Sequence, residues 1–148
     1  MLHFLPLSPH IRDAIIAGST GRMAMILLIY FGPSIGLPRV DPLSVLGSVA
    51  APSKEAAVTL GGAIHFSVGV AFAIVYATLW SAGIGRPTWE WGLLFGAVHG
   101  LLVIALLAVG AVRMYPQASS YLHQGRVLVA IVLSHIIYGV IVAVVYTS

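Results

Sequence analysis

Four apolar stretches, about 14–32, 56–79, 91–112 and 127–146, dominate this chain. Each approaches the roughly 20 residues an α-helix needs to cross about 30 Å of hydrocarbon. Between them the chain carries 7% charged residues, against about 25% in a soluble domain. So few charges cannot cover a water-facing surface. The expected fold is therefore all-α, an integral membrane bundle of four transmembrane helices forming one membrane domain over 1–148.

The ends of the stretches carry local signals. Ser8 with Pro9 reads as an N-cap and first helical position, and Gly32-Pro33 ends the first helix. Ser53 is an N-cap candidate for the second helix, with Glu55 in the first turn, where the helix dipole favours an acid. The third lies between Glu90 and Arg113. The longest connection, 33–52, holds four prolines and reads as an interfacial segment, with Asp41-Pro42 capping a short helix through Val49. Four crossings put both termini on the same side, where Tyr76, Trp80, Trp89, Trp91 and Tyr146 form an expected aromatic belt. That side carries Arg12 and Arg86, and the other Arg39, Lys54, Arg113 and Arg126. The positive-inside rule then places the termini outside. The first ten residues lack a basic segment followed by an apolar one, so no cleavable signal is expected.

Several function classes fall away. Seven basic and four acidic residues, a net charge of +3, are too few for a nucleic-acid footprint. Without cysteine there are no disulfides, thiolate metal sites or iron–sulfur ligands. The chain shows no phosphate loop, dinucleotide fingerprint or nucleophile elbow. No catalytic activity of its own is expected.

The chemistry that remains lies inside the spans. His65, His99, His135 and Arg22 are ionisable residues within apolar stretches, where such groups usually face a bundle interior, a partner or a ligand. At 1.5 Å per residue, His65 and His135 lie roughly 16 Å from Tyr76 and Tyr146, and His99 and Arg22 about 12 Å from Trp91 and Ala14. All four reach one layer near the bilayer centre.

The second and fourth helices echo each other. Residues 65–76 and 135–146 agree at six of twelve positions, including His65/His135, Gly69/Gly139, Ala73/Ala143 and Tyr76/Tyr146. Positions four apart share a helical face, so each histidine stands on a small-residue stripe. The third helix has Gly92, Gly96 and Gly100 beside His99. Such stripes let helix backbones approach closely in lipid, which turns the histidines toward protein.

Four readings of the histidines follow. Each is satisfied by one hydrogen bond to a neighbouring helix, or they ligate haem b or chlorophyll as axial ligands. Alternatively, the three hold copper or zinc, or they relay protons. No acid lies within the spans, which excludes a carboxylate-bridged metal centre and leaves a relay incomplete. Arg22 has no acid of this chain at its depth, so it either snorkels to the terminal side or meets an external anion: a partner's carboxylate, a lipid phosphate or a haem propionate.

The segments Gly61-Gly62-Ala63-Ile64-His65-Phe66 with Gly69, Phe95-Gly96-Ala97-Val98-His99-Gly100, and Ser134-His135-Ile136-Ile137-Tyr138-Gly139 resemble a group of small four-helix bacterial membrane proteins of unknown function. The resemblance covers the second to fourth helices and 18–40. It implies a four-helix bundle, most simply in a bacterial inner membrane, and lends weight to the three histidines. It implies no substrate or cofactor.

The expected role is a small accessory or structural subunit of a larger membrane complex, respiratory or photosynthetic, surrounded by lipid and other integral membrane subunits. Its warrants are the small-residue faces and the unpaired Arg22. The alternatives are an electron-transport cofactor carrier, binding haem b, chlorophyll or a metal through the histidines, and a small transporter or channel.

Overall fold

The computed structural model describes residues 9–48, 50–114 and 122–147. Helix α1 spans Ile11–Phe31 and runs into a 3₁₀ turn, Gly32–Ile35. A short α2, Pro42–Gly47, precedes the three remaining long helices: α3, Lys54–Ser81; α4, Trp89–Met114; and α5, Gly125–Tyr146. Helices α1, α3, α4 and α5 are each long and apolar enough to cross a membrane. No strand occurs among the described residues.

The helices outrun the apolar stretches because backbone capping, not hydrophobicity, decides where a helix stops. Ser53 Oγ accepts the Ala56 N–H at 3.2 Å, so α3 starts at Lys54 and takes both Lys54 and Glu55 into its first turn. Asp41 Oδ1 accepts the Ser44 N–H at 3.0 Å and caps α2. That helix closes at Gly47 rather than reaching Val49, a position outside the described residues. The start of α1 differs from the expected one. The first helical bond runs from the Ala14 N–H to the His10 carbonyl, which makes His10 the N-cap and leaves Pro9 outside the helix. Ser8 lies outside the described residues.

Small side chains set the helix spacing. Backbone neighbours are α1 with α3, α1 with α5, α4 with α5, and α2 with α3. Between α4 and α5, Gly92 and Gly96 lie directly against Gly139 and the His135 carbonyl, and a methyl group at any of the three would overlap backbone atoms. Ala143 is fully buried against Gly92 at the same crossing, and Ala14, Ala17, Ala73 and Ala77 are fully buried at the others. The fourth side of the bundle is different. There α3 and α4 meet through rings: Phe72 stacks on His99 at 3.7 Å, and Tyr76 sits edge-on to Phe95 at 5.2 Å.

Tyr76 and Trp80 do not join an outer aromatic belt. Both are buried, because positions 65, 69, 73, 76, 77 and 80 form one continuous inward stripe of α3. Trp89, 57% exposed, does face outward.

Because the α4–α5 contact is backbone on backbone, Gly139→Leu should cost about 1–3 kcal/mol or more through overpacking. Gly62 has nothing within 4 Å of an added methyl group. Gly62→Ala should therefore stay within about 0.5 kcal/mol of the parent or gain slightly. Thermal unfolding of both variants in detergent micelles, followed by near-UV circular dichroism, checks the contrast.

Candidate functional site

Arg22 is halfway along α1 and only 1% exposed. Its side chain crosses Gly69 of α3 so closely that any β-carbon there would overlap it. Nη1 donates to His65 Nε2 at 2.8 Å and contacts the Met25 sulfur at 3.3 Å. The guanidinium carbon lies 4.9 Å from the centre of the Tyr138 ring, in cation–π range. Tyr138 is itself anchored, its hydroxyl donating to the Gly69 carbonyl at 2.5 Å. Arg22 does not snorkel. Gly69 opens the path, and Tyr138 and His65 hold the far end.

Hydrogen-bond logic fixes two of the three imidazoles. A guanidinium has no acceptor, so His65 Nε2 must accept. His65 is then neutral with its proton on Nδ1, which is buried without a partner. A carbonyl only accepts, so His135 Nδ1 donates to the Ile131 carbonyl at 2.7 Å and leaves its lone pair on Nε2. His99 pairs through Nδ1 with the Tyr76 hydroxyl at 3.3 Å and meets the His135 ring edge to face at 4.6 Å. Tyr138, 5.7 Å from His99, joins the two halves of the layer.

The structure thus brings Arg22, His65, His99 and His135 into one cluster, but not as a clamp. The His99 and His135 rings touch, which leaves no slot between them for a planar tetrapyrrole. His65 spends its Nε2 on Arg22. Among the described residues, no three His, Asp or Glu side chains converge on a point that could hold a metal ion. Neither a bis-histidine clamp across His99 and His135 nor a tris-histidine metal site matches this arrangement. The two echoing histidines also differ in role, since His65 serves Arg22 while His135 bonds its own helix.

Above this layer is a cavity of about 400 Å³, within the range of roughly 300–1,000 Å³ typical of small-molecule sites. Arg22, His65, His99 and His135 line it together with apolar side chains from all four long helices, among them Ile29, Val68, Val103 and Ile131. Leu37, Pro38, Val40 and residues of α2 also line it. The segment between α1 and α3 therefore forms part of the cavity wall.

Sequence reasoning missed Met25, Phe72, Tyr76 and Tyr138 as members of this cluster. Tyr138 had a signal, standing three residues after His135 and hence on its face. Phe72 and Tyr76 likewise continue the His65 stripe.

These features define a class: a small bundle of long apolar helices around an apolar cavity with a cationic, imidazole-rich base. The chain belongs to a family of unknown function (DUF6789), whose model matches residues 9–148. No curated protein and no solved structure matches it.

Removing His65 strands the Arg22 donor, so His65→Ala should cost about 1–3 kcal/mol. Arg22→Met strands the His65 acceptor in turn but removes an uncompensated buried charge, so in ligand-free protein it should cost clearly less than His65→Ala. Thermal midpoints of the two variants, measured side by side in the same detergent, should differ by several degrees, with His65→Ala the lower.

Proposed function

We propose that this chain is a multi-pass integral membrane protein that binds a lipophilic molecule within its four-helix bundle. The observation that carries the reading is the cavity of about 400 Å³, apolar along its walls and closed at one end by Arg22 and the three histidines. Its outer surface fits a lipid environment: Leu93, Leu94, Val98, Leu101 and Leu102 are exposed along α4. A strongly hydrated solute would leave most of its polar groups unpaired against such walls. A molecule with an apolar body and a few polar atoms would satisfy both parts of the site.

The expectation of an accessory subunit in a respiratory or photosynthetic assembly drew partly on an unpaired Arg22 reaching for a neighbour. The guanidinium is turned inward onto His65 and Tyr138, which favours a bound ligand over a neighbouring subunit as its counterpart. For cofactor carriage, His65 Nε2 is taken up by Arg22, whereas His135 keeps a lone pair on Nε2. A binding role needs neither a partner nor a metal.

The test is to extract protein purified from its membrane with organic solvent and analyse the extract by mass spectrometry. We expect a lipophilic species near one equivalent per chain, reduced about tenfold or more in Val103→Trp, which fills the cavity. A wild-type extract holding nothing beyond bulk lipid, together with a thermal midpoint unmoved by added lipid extract, would reject the reading.

A further inference from the structure

The cavity's polar end states what kind of headgroup belongs there. We propose that the bound molecule is a long-chain carboxylate whose carboxylate is held by Arg22. The inference rests on the reading of the cavity as a lipophilic binding site, and it adds the charge and class of the ligand.

The first observation is the missing counter-charge. Asp13, Glu55 and Glu90 are in the first turns of α1, α3 and α4, and Asp41 caps α2. None reaches Arg22, whose contacts are His65, Met25, Tyr138 and Gly69. A cation surrounded by apolar side chains and neutral rings is costly unless an anion meets it. With Nη1 given to His65, the guanidinium still offers a carboxylate a charge-assisted hydrogen bond from its remaining N–H groups.

The second observation is independent of the charge. His65 is 9% exposed, lines the cavity beside Arg22, and carries an Nδ1–H with no partner. A neutral imidazole with its proton fixed on that nitrogen is a donor awaiting an acceptor. Arg22 and His65 together present donors only, with no acceptor of their own left unused. That suits an anion better than a hydroxyl or amide headgroup, which would bring donors as well.

The third observation concerns the tail and its route. From Phe72 to Ile64 along α3, and from His99 to Leu107 along α4, the cavity wall runs eight residues, or about 12 Å. That length takes an alkyl segment, and a longer chain has a way out. Val68 of α3 and Leu106 of α4 both line the cavity yet are 43% and 60% exposed. These two helices are the pair spaced by rings rather than by backbone contact. The opening between them is the lateral route from lipid. A carboxylic acid can travel it protonated and neutral, then ionise beside the guanidinium. A phosphate monoester keeps at least one charge near neutral pH and would cross the same apolar route at greater cost.

Binding of dodecanoate, dodecanol and dodecyl phosphate to the full chain in lipid nanodiscs, measured by equilibrium dialysis, tests this. Wild type should bind dodecanoate at least about tenfold more tightly than dodecanol. That preference should vanish in Arg22→Met and Arg22→Gln, with dodecanol binding retained as proof of an intact cavity, and should return in part in Arg22→Lys. Equal affinity of wild type for dodecanoate and dodecanol overturns the inference but leaves the lipophilic site standing. Tighter binding of dodecyl phosphate than dodecanoate overturns the carboxylate assignment. Binding of none of the three removes the cavity reading, and this inference with it.

Discussion

The crossing of Arg22 over Gly69 is the contact around which the interior is arranged. A guanidinium in the middle of an apolar bundle has to be walled in by groups that accept its hydrogen bonds or face it with electron density. Here the absent side chain at Gly69 makes the channel, His65 accepts at the far end, and Tyr138 lies flat against the cation. Tyr138 reaches that position because its hydroxyl bonds the Gly69 carbonyl, the backbone of the residue the arginine passes over. Three helices are thereby fixed against one another through a single side chain from α1. The cation–π contact and the hydrogen bond cover only part of the guanidinium, and its Nε stays buried and unpartnered.

The cavity follows from uneven spacing. Where α1, α3, α4 and α5 meet through glycine and alanine, backbones come close and leave no room. Between α3 and α4 the spacers are Phe72, His99, Tyr76 and Phe95, rings that hold the helices apart at their own level. Farther from the chain termini that ring layer ends, while α2 packs on α3 through contacts of Gly47 with Ala57 and of Gly61 with Leu43. The space between the ring layer and this segment is what remains. Its polar base and apolar walls are therefore two consequences of one arrangement: small residues on three sides and aromatic residues on the fourth.

Much of this was legible in the chain. Apolar runs of spanning length fix four long helices, and Ser53 and Asp41 mark the starts of α3 and the short α2 through ordinary local chemistry. A constant rise per residue is enough to place Arg22, His65, His99 and His135 at one level, because depth in a helix depends only on counting. Facing is another matter. Which helix neighbours which is decided by tertiary contact, so the sequence could not say that His65 meets Arg22 while His135 bonds the carbonyl of Ile131. The internal echo pointed the other way, toward equivalent histidines. Tyr76 and Trp80 were misplaced for a related reason. Aromatic residues near a span end fit an interfacial belt by composition, yet these two fall on the same face as His65, Gly69 and Ala73 and are drawn inside. The cavity had no sequence signature, since its wall draws on five segments remote from one another along the chain.

Arg22 is also where stability and sequence disagree, and the disagreement is informative. A bundle seeking only to pack would place methionine or leucine at this depth, filling the channel over Gly69 without desolvating a charge. Retaining arginine instead costs the empty bundle stability and requires glycine opposite. Local choices that break the rules of a stable fold tend to mark sites of function. This one borders a cavity lined by all four long helices, beside an imidazole whose remaining proton has no acceptor. A ligand that supplied the missing charge would turn the most costly residue in the bundle into its strongest point of attachment. In that state the ligand, rather than any residue of the chain, would complete the core.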